Sequence, residues 1–177
     1  MATKKWTVDK AHSQIRFKVK HLMITTVTGN FTDYDVSVET EDDDFTTARI
    51  LFTAQTSSVF TGSTERDAHI KSPDFFDVEK YPELKFVSTG IDKKKENTYR
   101  LQGDITIKNK TKKLLLNVEF TGFVIDPWGK NKAGFIVTGK LKRKKFGLLW
   151  NVITDAGSAL VGEEVKIECE VQFTPAG

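Results

Sequence analysis

The feature that most constrains the fold is an alternation of apolar and polar residues that recurs along nearly the whole chain. One such run begins at Ser13, where Ile15, Phe17 and Val19 alternate with polar and basic residues. A period of two places successive side chains on opposite faces of a β-strand. The pattern therefore favours strands that have one buried face and one solvated face.

The same alternation recurs often enough to predict the architecture. Comparable runs occur near 34–38, 48–55, 84–91, 99–108, 114–124, 135–141 and 165–173. Together with the first run they indicate about eight strands, several longer than the usual 5–6 residues. Charged stretches between the runs indicate turns, and a meander of this kind loses its exposed edges only by closing on itself. We predict an all-β fold, an eight-stranded up-and-down antiparallel barrel.

Two segments interrupt the alternation and are predicted to cover one end of the barrel. The first, near 63–80, contains helix-capping residues, charges and the Phe75–Phe76 pair, and it is followed by Pro82. We predict short helical turns there. The second, near 146–160, is apolar and contains glycines. It predicts a short helix, with an extended connection as the alternative.

Composition indicates one soluble domain spanning 1–177, since 38% of the 177 residues are hydrophobic and 29% are charged. The single cysteine, Cys169, excludes an internal disulfide framework and a cysteine-based zinc site. A formal charge of +3 is too small to indicate a polyanionic partner by itself. The first residues lack the apolar region of a secretion signal, so we expect a cytoplasmic location. We expect no nucleic-acid partner and no cofactor.

The inward-facing residues of such a barrel are almost all apolar, and the chain contains 13 phenylalanines. An eight-stranded barrel is either filled by its side chains or wide enough to hold one small ligand. The pattern is compatible with a packed core and equally with an apolar cavity that holds a long aliphatic or unsaturated chain.

The histidines allow an enzymatic alternative, a hydrolase or isomerase that acts on a lipid-like substrate. Asp9, His12 and Ser13 are neighbours in sequence, and His21 ends the first run. On one straight strand His12 and His21 face opposite sides, roughly 30 Å apart, which excludes a shared metal ion. Polar residues at the start of a strand more often satisfy backbone groups, so we predict neither a catalytic nor a metal site. His69 could contact a ligand head group or pair with its neighbours.

A basic cluster at 140–145 allows a second alternative, an adaptor for nucleic acid or a membrane surface. Its members are Lys140, Lys142, Arg143, Lys144 and Lys145. Nucleic-acid binding would require aromatic residues interleaved on the same exposed face, which favours a solvated strand end instead. A basic rim could also dock on an anionic membrane.

Several stretches of the chain resemble the YceI-like, polyisoprenoid-binding family of bacterial proteins. They are WTVDKAHSQIRFKVKHLM at 6–23, VTGNF at 27–31, RDAHIKSPDFFDVEKYP at 66–82, LQGDITIKNKTK at 101–112, FGLLW at 146–150 and VGEEVKIECEVQ at 161–172. The resemblance implies a single lipocalin-like barrel domain with an elongated apolar pocket. It further implies an isoprenoid ligand, such as a quinone tail or its precursor, or a related fatty amide, and a homodimer. Many relatives carry a secretion signal, which this chain does not show.

We therefore predict a binding protein, not an enzyme, that holds a long-chain apolar lipid in the barrel for storage or transport. The residues predicted to bind the ligand are strand residues that face inward and residues of the two covering segments. They are Phe17, Val19, His21, Phe31, Ile50, Phe52, Phe75, Phe76, Ile105, Leu116, Val118, Val137 and Trp150. His21 is predicted to make a polar contact at the rim.

Overall fold

The computed structural model describes residues 2–152 and 159–176, and most of them lie in β-strands. One α-helix, α1, spans Thr64–Lys71, and 3-10 turns span Lys10–His12, Thr56–Ser58 and Arg143–Phe146. The strands are β1 Thr3–Val8, β2 Gln14–His21, β3 Thr25–Phe31, β4 Tyr34–Glu41, β5 Asp44–Gln55, β6 Val59–Phe60, β7 Glu83–Lys95, β8 Thr98–Ile107, β9 Lys110–Ile125, β10 Asn131–Lys142 and β11 Val161–Pro175.

The strands form a closed antiparallel barrel, as predicted. The order of pairing is β1-β4-β5-β7-β8-β9-β10-β11, and β11 pairs back with β1. The edge of β11 that faces β1 also pairs with β2, which in turn pairs with β3. Since β1 leads into β2 and β3 leads into β4, each of these pairs makes one interrupted side of the barrel. The prediction of an eight-stranded up-and-down barrel is confirmed.

The break between β1 and β2 is bridged by groups that replace the missing strand pairing. Residues 9–13 leave the strand through a 3-10 turn opposite Gln172 of β11. The Ser13 Oγ accepts a hydrogen bond from the Gln172 amide at 3.0 Å, and the Asp9 amide donates to the Gln172 carbonyl at 2.8 Å. Both backbone groups of Gln172 are therefore satisfied, which lets the barrel tolerate the break.

Aromatic side chains fill one end of the barrel. Trp6 belongs to β1, Phe45 to β5 and Phe135 to β10. The ring centroids of Trp6 and Phe45 are 5.1 Å apart, and those of Phe45 and Phe135 are 4.9 Å apart. Phe120 contacts Phe135 at 5.3 Å. The indole of Trp6 donates a buried hydrogen bond to Thr40 Oγ1 at 3.0 Å, so its polar group is satisfied. This end of the barrel is closed by packing.

The helical segment predicted near 63–80 covers the opposite end. It contains α1, whose N-cap Ser63 accepts a hydrogen bond from the Arg66 amide at 3.3 Å. The rest of the segment consists of turns that carry Phe75 and Phe76. In the described residues, no helix has the length and apolar character to cross a membrane.

The prediction of a short helix near 146–160 is wrong for residues 147–152, which the structure describes. The 3-10 turn ends at Gly147, whose φ of 77° lies in the left-handed region that favours glycine. Residues 148–152 are extended or irregular, which corresponds to the alternative that the sequence left open. Positions 153–158 lie outside the described residues.

Close packing requires glycine at position 103 in β8. A Cβ atom there would overlap the ring of Phe86 and the carbonyl oxygen of Val87. We expect G103V to lower the free energy of unfolding by about 2 kcal/mol, because a backbone carbonyl cannot move aside as a flexible side chain can.

Urea denaturation followed by tryptophan fluorescence measures this loss. G90A is the matched control, because a Cβ at Gly90 of the adjacent β7 meets nothing within 4 Å. Its effect should stay within about 0.5 kcal/mol. Equal stability of G103V and the unsubstituted protein would contradict the packing described.

Candidate functional site: an apolar cavity inside the barrel

The barrel encloses a cavity of about 720 Å³. It extends from Phe45 and Phe135, near the aromatic end, to Arg66 and Trp150 at the end that α1 covers. Its wall consists mainly of aliphatic and aromatic side chains from the strands. This volume is within the range of sites that bind small organic molecules, which is roughly 300–1,000 Å³.

Several inward-facing side chains are only half-buried, because they border this cavity. Ile15, Phe17 and Val19 have the inward parity of β2, yet each is of intermediate exposure. Val137 of β10 behaves in the same way. In a filled barrel these positions would be fully buried, since protein interiors pack with few voids larger than a water molecule. The structure therefore favours the hollow interpretation of the sequence over the packed core.

All thirteen residues predicted to bind a ligand lie on the cavity wall. Ten belong to the strands: Phe17, Val19, His21, Phe31, Ile50, Phe52, Ile105, Leu116, Val118 and Val137. His21 is the last residue of β2. The other three, Phe75, Phe76 and Trp150, lie at the end covered by α1. Their contact with a lipid stays a prediction.

Other wall residues were not among those predicted from the sequence. Val36, Val38 and Leu101 line the cavity and have the inward parity of β4 and β8, so the alternation alone could have found them. Arg143 lines it as well, although it lies within a run of lysines. Nothing in that run distinguishes an inward-pointing arginine from its solvated neighbours.

Aromatic contacts join the two segments that surround the end covered by α1, which we call the mouth. The ring of Trp150 lies 4.5 Å from that of His69 and 5.7 Å from that of Phe75. His69 Nε2 lies 2.8 Å from a carboxylate oxygen of Asp74. Phe76 contacts Phe31 of β3 at 5.9 Å. These contacts link α1 and the turns after it to the chain that follows Gly147.

The guanidinium of Arg143 organises the same segment from inside. Arg143 is only 2% exposed, so burial lowers the pKa of its guanidinium below the usual value. It donates to the carbonyl oxygens of Gly162 at 2.8 Å, Leu148 at 2.6 Å, Trp150 at 2.9 Å and Val161 at 3.2 Å. This corrects the prediction of a solvated basic cluster at 140–145 for Arg143 alone, because the four lysines of the cluster are exposed.

Most of the ionisable groups around the cavity lie at the mouth. Glu65, Arg66 and His69 of α1 line it there, as does Arg143. The aromatic end of the cavity is formed by Phe45, Phe135 and other apolar residues. An amphipathic ligand would therefore place its polar end at the mouth and its apolar chain inside the barrel.

The alternative catalytic set, Asp9, His12 and His21, is not brought together. Asp9 pairs with His12 Nδ1 at 2.9 Å, but the whole of β2 separates His12 from His21. The hydroxyl of Ser13 is engaged with the Gln172 amide. Among the described residues, no group of three or more His, Cys, Asp or Glu side chains is placed to hold a metal ion.

Asp9 instead connects β1 to β10 through an ion pair with Lys132, whose Nζ donates to it at 2.8 Å. The hydrogen bond from Lys132 lowers the pKa of Asp9 to about 2; burial opposes this effect and His12 adds to it. Because the folded-state pKa lies below the ordinary value of 3.8, the pair stabilises the fold above about pH 4. That contribution is lost as the pH falls from about 4 to about 2.

We expect D9N to cost about 1 kcal/mol of stability at pH 7, a value discounted for solvent screening of a partly exposed pair. The variant should also lose part of the pH dependence of stability between about pH 4 and pH 2. Chemical denaturation at a series of pH values tests both points. D43N is the control, because Asp43 pairs with Lys4 at an exposed position. An equal effect of the two substitutions would contradict the assignment.

Comparison with known proteins identifies the family. The model of a family described as "YceI-like domain" matches residues 6–173. A UPF0312 protein of Staphylococcus aureus (strain USA300) is 36% identical over 170 residues, which cover 96% of each chain.

Solved structures show the same fold. The crystal structure of the Campylobacter jejuni YceI protein matches with a TM-score of 0.76 and 31% identity, covering 97% of this chain and 98% of that one. A polyisoprenoid binding domain from Saccharophagus degradans, implicated in plant cell wall breakdown, matches with a TM-score of 0.63 over 97% of this chain and 98% of that one. At 11% identity, the second match shows the fold alone. From the extent of the family match and the identity to these relatives, we conclude that the chain belongs to the YceI-like domain family.

Proposed function

We propose that the protein binds a long-chain apolar lipid in the barrel, for storage or transport. A polyisoprenoid, a quinone tail or a fatty amide fits this description. The observation that carries the proposal is the set of half-buried, inward-facing side chains around a cavity of about 720 Å³. These side chains present apolar surface to the cavity, in addition to packing against the core.

The energetics follow from the apolar wall. Each Å² of apolar surface removed from water contributes about 25 cal/mol, so a long chain inside the barrel gains affinity mainly from its area. A wall with few polar groups selects for length and shape more than for a particular functional group. The Saccharophagus degradans domain, described as polyisoprenoid binding, has the same fold and supports this ligand class.

The ligand would enter at the mouth, since packed aromatic rings close the other end of the barrel. Entry requires the contacts of Trp150 with His69 and Phe75 to separate, because these contacts join the segments around the mouth. Binding needs no covalent step. Release would reverse the same movement.

The two alternatives are less well supported. An enzyme would need Asp9, His12 and His21 in one place, and they are separated along β2. A nucleic-acid adaptor would need aromatic residues exposed among the lysines of the basic cluster, and Phe146, which follows them, is buried. A homodimer, contact with a membrane surface and a cytoplasmic location stay predictions.

Extraction of the protein with organic solvent, followed by mass spectrometry, tests the proposal directly. The protein should be purified without detergent, so that a lipid bound in the cell is retained. We expect an isoprenoid, quinone or fatty amide in stoichiometric amount. An empty extract, together with no uptake of added prenyl lipids, would overturn the proposal.

Filling the cavity should remove binding. We expect V137W to place an indole in the lumen and to reduce the recovered lipid at least about fivefold, because Val137 borders the open space. V87W is the matched control, since Val87 is 41% exposed on the outer face of β7. Thermal denaturation of both variants shows whether they fold. If folded V137W retained as much lipid as V87W, the ligand would lie outside the barrel.

A further inference from the structure

We infer that the β2–β3 turn, residues 21–24, inserts into the surface of an anionic lipid bilayer and docks the mouth of the barrel there. This inference rests on the proposed function, because it concerns the route by which a lipid reaches the cavity. It assigns the docking contact to an apolar turn rather than to the basic cluster alone.

The geometry of the turn is the first observation. The strands pair at His21 and Thr25, so residues 22–24 form the hairpin loop. The Ile24 amide donates to the His21 carbonyl at 3.1 Å, which closes a β-turn within this loop. Its central residues, Leu22 and Met23, have φ values of 52° and 60°. A β-turn whose two central residues both have positive φ strongly prefers Asn-Gly at those positions. Leucine and methionine are therefore strained there, and strain of this kind is often retained for function.

The exposure of the turn is the second observation. Met23 is 56% exposed and Ile24 is 77% exposed. Packing within the barrel does not explain two apolar side chains in solvent at the tip of a hairpin. The strain and the exposure both raise the free energy of this turn when it is surrounded by water.

The position of the turn is the third observation. The Leu22 amide donates to the Leu160 carbonyl at 2.9 Å, and the Leu160 amide donates to the Val152 carbonyl at 2.8 Å. Leu160 and His21 both line the cavity. Val152 is 48% exposed, and Leu149 in the same segment is 61% exposed. The turn therefore belongs to an apolar rim around the mouth.

The charges around this rim favour an anionic bilayer as the partner. Lys20, Lys144 and Lys145 are exposed near the mouth, as is Lys142. Together with the exposed Arg66 they are five cations, against four exposed acidic residues near the mouth: Glu65, Asp74, Glu163 and Glu164. Asp74 is paired with His69. Lysines close to a membrane surface are attracted to anionic head groups. The apolar residues protrude from a turn rather than forming a groove, which suits insertion among lipids better than docking of a protein.

The docking position also solves a chemical problem of the proposed function. A long-chain lipid is almost insoluble in water, so it must pass between a bilayer and the cavity with little exposure to solvent. A rim that inserts beside the mouth would place the entrance of the cavity at the lipid surface. The closed aromatic end would then point away from the bilayer.

The variant L22N/M23G tests the inference, because it replaces the strained apolar pair by the sequence that the turn prefers. Binding is measured by co-sedimentation with vesicles of equal parts phosphatidylcholine and phosphatidylglycerol. We expect the affinity to fall by at least about tenfold, from the loss of inserted apolar surface. Thermal stability should be equal or higher, because Asn-Gly suits positive φ. In K144Q/K145Q, vesicle affinity should fall about fivefold for each lysine replaced.

The control is V124S/I125S, which removes two apolar side chains at the closed end of the barrel that are 64% and 69% exposed, more than Leu22 and Met23. Its vesicle binding should equal that of the unsubstituted protein. Failure of the unsubstituted protein to bind vesicles would overturn the inference, as would equal binding by L22N/M23G. A fluorescent fatty acid titrated in vesicle-free buffer tests the cavity separately. Uptake of that probe without vesicle binding would refute the docking site and leave the proposed function standing.

Discussion

Closure of the sheet is the constraint on which the rest of the structure depends. The ring closes where the side made of β1 and β2 pairs with β11. Trp6, Thr7 and Val8 of β1 pair with residues 173–175, and β2 pairs with the same edge of β11 from residue 170 to residue 161. The bonds of Asp9 and Ser13 to Gln172 extend this contact past the end of β1. Without this seam, β1 and β11 would present unpaired edges, and the inner faces of the strands would not enclose a space.

Closure also fixes the width of the barrel, and the width determines whether a cavity exists. With eight strands the interior is near the limit that side chains can fill. Rings fill it at one end, where Phe45 and Phe135 meet. Toward the mouth, the inward residues of β2 leave space between the walls. The cavity is thus a consequence of uneven filling along one barrel.

The two ends of the barrel therefore have different tasks. The aromatic end contributes stability, since its rings are packed and the indole of Trp6 is hydrogen-bonded. The mouth is formed by short segments held together by Arg143, Trp150 and His69, through hydrogen bonds and a few ring contacts. Breaking these few contacts costs less free energy than opening a packed core. Under the proposed function, this difference lets the lipid enter while the barrel stays folded.

Much of the fold and part of the site could be predicted from the sequence. The alternation predicted the barrel and the inward residues, because a period of two is a local property of each strand. It did not predict that β1 and β2 form one interrupted side, since that depends on Gln172, far away in the sequence. The helix expected near 146–160 is absent from residues 148–152, for a related reason. Arg143 binds the carbonyls of Leu148 and Trp150 there, and it also binds those of Val161 and Gly162, which only the tertiary structure brings near it.

By itself, the sequence determined which residues face inward and that they are apolar, because strand parity follows from backbone geometry alone. Only the tertiary structure decided how much of the interior those residues fill, because packing depends on the distance between opposite walls. It also decided that Arg143 points inward, and that the strained turn at Leu22 and Met23 lies beside the mouth. These are properties of residues distant in sequence, and no local pattern records which of them become neighbours.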